Sequence, residues 1–283
     1  MIYLLLTIIC STSIGLILKY HDSKKGTLTV LLAGNYLVAS IISGISVVAS
    51  SDSSHSVPAI LFPAGILLGV VFMISFMAFS KTVESSGAAL ASVASRLSVV
   101  IPVSLSIIFF REYPSLGGTL GLFIALVSVV FSYFAIKTSE TTFGVRASFF
   151  FPALLLIGIG INDFSLKLFN TFFSGQNMGV FLLLIFSSAG ISSLVWMKFR
   201  KDQINSFSFI TGLVLGIPNV FSTWFLIKAL KSLPGTLVYP VSNIAIIVLT
   251  TILAAVIWKE PVNRYGFLAL ATGMIGISLI SIF

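Results

Sequence analysis

The chain is a series of apolar runs, each about as long as a bilayer is thick, parted by short connectors that hold the turn formers and most of the charge. A bilayer core takes about 20 apolar residues per helix, and with no water at hand every backbone amide there must bond within the helix. A bundle of membrane helices is therefore the expected fold. Ten runs meet the length, over 2–20, 28–49, 58–80, 86–110, 115–137, 149–169, 178–197, 207–230, 235–257 and 263–282. Breaks such as "HDSKKG" (His21 to Gly26), "SSDSSHSVP" (Ser50 to Pro58), "KTSETTFGVR" (Lys137 to Arg146), "FSGQN" (Phe173 to Asn177) and "KFRKDQINS" (Lys198 to Ser206) are too short to hold an extramembrane domain. Composition agrees: 57% of residues are hydrophobic and 8% charged, with a mean hydropathy of +1.13, values that belong to lipid rather than water. The net charge of +8 would point to nucleic acid in a soluble domain. Here Lys and Arg sit mainly in connectors, where they anchor helices at headgroups, so the bilayer is the expected partner and nucleic acid is not. The opening "MIYLLLTIICSTSIGLILK" lacks a basic start and a small-residue cleavage site and reads as the first span. Cys10, the single cysteine, leaves no internal disulfide.

The second half repeats the first. Laying "FFREYPSLGG" (Phe109 to Gly118) over "IWKEPVNRYG" (Ile257 to Gly266) puts Arg111 on Lys259, Glu112 on Glu260 and Gly118 on Gly266. The same offset of 148 residues puts Lys19 on Lys167, Gly87 on Gly235 and Val93 on Val241. A repeat of five spans is odd in number, so its second copy crosses the membrane in the opposite sense. Residues 1–140 and 147–283 are thus expected to form two inverted five-helix repeats around a central cavity, with the binding site near the bilayer midplane.

The ten-span layout, the basic-acidic elbows (Arg111-Glu112 with Pro114, and Lys259-Glu260-Pro261) and the pair "SSGAALASVASRLSVVIPV" and "SLPGTLVYPVSNIAIIVL" resemble the drug/metabolite transporter superfamily, EamA-type, over essentially the whole chain. The resemblance implies secondary transport by alternating access, with a cavity lined mainly by the first, third, fourth, sixth, eighth and ninth spans. It also implies a structural role for Glu112 and Glu260. The family's habit of cytoplasmic termini conflicts with the positive-inside rule: Lys24, Lys25, Lys81, Lys137, Arg146, Lys198, Arg200 and Lys201 would then lie outside. The charge count favours external termini, and the orientation stays open.

Ionisable and polar residues inside spans are expensive, and they mark candidate sites. Arg96 lies well within "ALASVASRLSVVIPVSLSIIFF" (Ala89 to Phe110), where its five donors suit a carboxylate or phosphate. Ser92 and Ser95 extend that wall. The alternative is a structural salt bridge, for which Asp163 in "GIGINDFSLKLF" is the expected partner. Asp163 has three readings: counter-ion to Arg96, a proton site, or an i, i+4 pair with Lys167. Asn162 adds an amide beside it. In the ninth span, Pro240 frees the carbonyl of Thr236, and Tyr239 and Asn243 share a face one turn apart. In the eighth, Asn219 and Thr223 share a face, and Trp224 is either a cavity aromatic or ordinary packing. The expected substrate-binding set is Ser92, Ser95, Arg96, Asn162, Asp163, Asn219, Trp224, Tyr239 and Asn243.

Catalysis has little support. Two histidines, His21 and His55, both in connectors, and one cysteine offer no metal-ligand spacing and no Cys-His pair. There is no nucleophile elbow and no phosphate loop, so neither a cofactor nor direct ATP use is expected. The expected function is secondary-active transport of a small polar metabolite (an amino acid, organic anion or related compound), with a proton as a candidate coupling ion. The expected setting is a multi-pass monomer or homodimer in a bacterial inner membrane. The alternative is a promiscuous multidrug or cation exporter of the same superfamily.

Overall fold

The computed structural model describes residues 1–49, 57–137, 150–173, 178–258 and 264–282. Among the described residues the protein is 90% helical, with no strand. Ten helices among the described residues follow in order: α1 (Ile2–Ser23), α2 (Leu28–Ala49), α3 (Leu61–Leu97), α4 (Val100–Phe110), α5 (Leu116–Lys137), α6 (Phe150–Phe173), α7 (Met178–Arg200), α8 (Ser206–Ser232), α9 (Gly235–Trp258) and α10 (Arg264–Ile282). Six helical stretches among the described residues, within α1, α2, α3, α6, α7 and α8, are long and apolar enough to cross a membrane. Large apolar side chains are turned outward along them, with Ile9 57%, Ile45 61% and Leu67 66% exposed. Such surface suits acyl chains and not water. The protein is a multi-pass membrane protein.

The helix boundaries depart from the expected spans at one place. Residues 58–80 and 86–110 read as two separate spans, yet α3 runs unbroken for 37 residues and the break falls at Ser98 and Val99. Pro102 explains it. Its ring would clash with the carbonyl four residues back, that of Ser98, while a proline in the first turn of a new helix is tolerated. The Ser98 hydroxyl instead donates to the Ser95 carbonyl at 2.6 Å and closes the last turn of α3. α4 is left with 11 residues.

Packing groups the helices into two compact units: Met1–Met73 with Leu168–Lys231, and Ile74–Lys167 with Ser232–Phe283. Each draws on both halves of the sequence. In the first unit α2 packs on α7 and α1 on α8, where Tyr3 stacks on Phe225. Close approach is what the small residues there permit: a Cβ on Gly212 of α8 would lie 2.2 Å from the Leu31 carbonyl of α2, and one on Gly69 of α3 would lie 2.3 Å from that of Ile185 in α7. Lipid supplies no hydrophobic drive between helices, so such contacts, together with dispersion, hold them. The core of this unit includes Leu31, Tyr36, Phe181, Ile185, Phe186 and Leu215.

In the second unit α4 packs on α9, and α5 on both α9 and α10. α6 lies against the C-terminal part of α3, where Asn162 donates to Ser75 and Ala78 packs with Leu155. A left-handed Arg111 (φ 54) ends α4, Pro114 bars its continuation, and the Ser115 hydroxyl accepts from Gly118 N–H to start α5.

Candidate functional site

The polar residues expected in the membrane fall into both units, and each unit treats them differently. In the second unit α9 carries Pro240 inside the helix, and Asn243 Nδ2 donates to the Tyr239 carbonyl at 3.0 Å. Tyr239, 1% exposed, donates its hydroxyl to the backbone carbonyl of Asp163 at 2.6 Å. That bond ties α9 to α6. Asn162 is buried on α6, its Nδ2 3.3 Å from Ser75 Oγ, while its Oδ1 has no hydrogen-bond partner among the described residues. Asn243 also lines a cavity of about 160 Å³ among α4, α5 and α9. Val103, Leu122, Leu126, Pro240 and Ile244 form its apolar wall, and Ser104 is its second polar residue.

Of the fourth-span set, Ser95 is half-buried in α3. Ser92 and Arg96 belong to the same helix, but their side chains lie outside the described residues. Glu260 and His55 lie outside them too.

In the first unit Asn219 Nδ2 donates to Asn35 Oδ1 at 3.0 Å, and Thr223 donates to the Asn219 carbonyl. Asn35 is fully buried, and its Nδ2 lacks a hydrogen-bond partner among the described residues. Trp224 is half-buried, with Lys228 Nζ over its ring at 3.8 Å and Phe221 and Phe225 beside it. One face of the Trp224 ring is thus covered by Lys228.

Lys167 has a partner that the i, i+4 reading did not name. Its ammonium pairs with Glu112 Oε1 and lies over the Phe110 ring, while Glu112 Oε2 accepts from the N–H of Gly235 at 2.7 Å. One carboxylate therefore neutralises a buried lysine and caps the first turn of α9, where the helix dipole favours negative charge. An intramembrane lysine requires a carboxylate somewhere, and that was the available signal. Sequence separation alone pointed to the nearer Asp163. No group of three or more His, Cys, Asp or Glu that could hold a metal ion occurs among the described residues.

No family model matches the chain. A solved crystal structure that shares 15% identity superposes with a TM-score of 0.79, covering 98% of this chain and 94% of its own; at that identity the likeness is one of fold. An uncharacterized protein of Haemophilus influenzae is 30% identical over 282 residues, which span 94% of this chain and 93% of that protein. At that identity and coverage, the chain belongs to the family of this Haemophilus influenzae protein.

Proposed function

We propose that the protein is a secondary transporter that moves a small polar metabolite across a bacterial inner membrane by alternating access, built as two inverted repeats of the drug/metabolite transporter kind. The observation that carries the reading is the cavity of about 160 Å³ beside α9, which carries Pro240 within it, with Asn243 on the cavity wall. A proline inside a membrane helix leaves the carbonyl four residues back without its helical donor, a polar group that can face a cavity. The helix pairing supports the repeat. α2 with α7, α4 with α9 and α5 with α10 are each a helix packed on its own counterpart five helices on. The contact of α1 with α8 has as its image the contact of α6 with α3. A two-fold relation between the halves requires that correspondence. Arg96, Ser92 and Ser95 are assigned to the substrate's anionic end, Asn162 and Asp163 belong to the same proposed set, and a proton is the candidate coupling ion.

The mainly apolar wall of the cavity favours a second reading, an exporter of lipophilic cations. Thermal unfolding of the purified protein against amino acids, organic acids, sugars, nucleotides and lipophilic cations separates the two. A true ligand at a hundredfold excess over its dissociation constant adds about 2.7 kcal/mol. Stabilisation of the wild type by an anionic or zwitterionic compound, lost in Arg96→Ala and weakened in Asn243→Leu, is the expected result. Cations that stabilise all three proteins equally would transfer the assignment to the exporter. No ligand of either class would overturn both.

A further inference from the structure

The connector "HDSKKG" (His21 to Gly26) forms, with the N-terminus of α8, a second cavity in the first unit that the transport reading does not use. It is open-mouthed, about 430 Å³, and lined by Tyr20, Lys24, Lys25, Gly26, Asn205 and Phe207. Its frame is fixed by neutral hydrogen bonds. His21, 3% exposed, places Nε2 2.9 Å from Ser208 Oγ, and that oxygen also accepts from the N–H of Thr27 at 2.8 Å. Asn205 caps α8 by accepting from the Ser208 N–H and donates Nδ2 to Thr27 Oγ1. Phe207 stacks flat on the His21 ring, 5.7 Å away.

The turn itself is sharp. Lys25 is left-handed (φ 53), and the N–H of Gly26 bonds back to the His21 carbonyl. A Cβ at Gly26 would lie 2.0 Å from His21 Nε2, so only glycine fits. The outcome is two neighbouring exposed lysines held over the positive end of a 27-residue helix. No ion pair of Lys24 or Lys25 occurs among the described residues. The nearby carboxylates are Asp22, exposed on the same turn, and Asp202, which is engaged by Thr29 and Arg200.

We propose that this elbow is a binding site for a phosphate group, carried by an anionic phospholipid headgroup or free in solution. Two cations and a helix N-terminus supply the charge. Tyr20 and Phe207 supply the amphipathic and apolar edge found where spans meet headgroups. The position at the ends of α1 and α8 is where a lipid phosphate lies, and the inference does not depend on what the protein transports.

The test is thermal unfolding of the full chain in phosphate-free maltoside micelles and phosphate-free buffer, titrated with phosphatidylglycerol in one arm and inorganic phosphate in the other. The wild type is compared with Lys24→Gln/Lys25→Gln and with the control Lys198→Gln/Lys201→Gln, which removes two exposed lysines near the end of α7. At about 1 kcal/mol per lysine near an anionic surface, the elbow variant should bind about thirtyfold more weakly; the control, which loses the same general attraction but no residue of the cavity, should fall less, and an equal fall in both variants would overturn the site. A wild-type response to phosphatidylglycerol alone assigns the site to lipid, whereas a response to both assigns it to the phosphate group itself. Equal responses of the elbow variant and the wild type, or no response in either arm, overturn the proposal.

Discussion

Two elbows of the molecule use the same backbone device and opposite electrostatics. After α1 and after α4 the chain turns through a left-handed basic residue, Lys25 at φ 53 and Arg111 at φ 54. After α1 the buried groups are neutral, His21, Ser208 and Thr27, and the charges of Lys24 and Lys25 are left exposed. After α4 the charges are drawn inward, with Glu112 clamped between Lys167 and the N–H of Gly235. Charge kept at the surface is cheap to hold and free for a ligand. Charge taken below it must be matched within the fold, and so becomes structural.

The largest effect follows from breaking the matched charge. Glu112→Gln should remove the carboxylate paired with Lys167 and weaken the cap on α9, costing about 3–5 kcal/mol, as expected when one partner of a buried pair is removed. Chemical unfolding in micelles measures this, and a loss below about 1 kcal/mol would show that the α4–α5 elbow is no more cohesive than a surface pair.

The neutral elbow should be weaker at its own centre. Ser208→Ala removes the oxygen shared by His21 and the Thr27 N–H and should cost about 1–3 kcal/mol, the penalty for buried polar groups left unpaired. The same unfolding assay reads it. A cost equal to that of Glu112→Gln would erase the distinction drawn between the elbows.

Smallest is the effect of the shared backbone. Left-handed geometry costs a non-glycine residue roughly 1–2 kcal/mol, part of which a glycine gives back as unfolded-chain entropy. Lys25→Gly and Arg111→Gly should therefore each raise the unfolding midpoint slightly, and by similar amounts. If only one does so, the two turns do not share their strain.

Much of the architecture was legible from element lengths. Apolar runs of bilayer length placed α1, α2, α5 and α7 to within a few residues, because a membrane helix must satisfy its own backbone whatever surrounds it. The third and fourth spans were misdivided. Hydropathy carried more weight than the proline at 102, and a proline acts four residues upstream of itself, at Ser98. The site was legible in residue type more than in role. Asn219 and Tyr239 are polar groups at helix contacts, as their burial within spans demanded, but they bond to Asn35 and to the Asp163 carbonyl. Trp224 could be a cavity wall or packing on sequence grounds, and the structure adds Lys228, one turn on, over its ring.

The sequence by itself determined that this chain lives in a membrane and where most of its helices run, because hydrophobic length and chain turns act locally. Partnership was decided only by the tertiary structure. Lys167 lies four residues from Asp163 and 55 from Glu112, and it is the distant carboxylate that caps α9. His21 and Ser208 meet across 187 residues to frame the lysine elbow. A side chain's desolvation cost is known from its type, but the group that offsets it is set by which helices pack together. That packing depends on the backbone approach at residues such as Gly69 and Gly212 and on contacts too distant in sequence for any local pattern to encode.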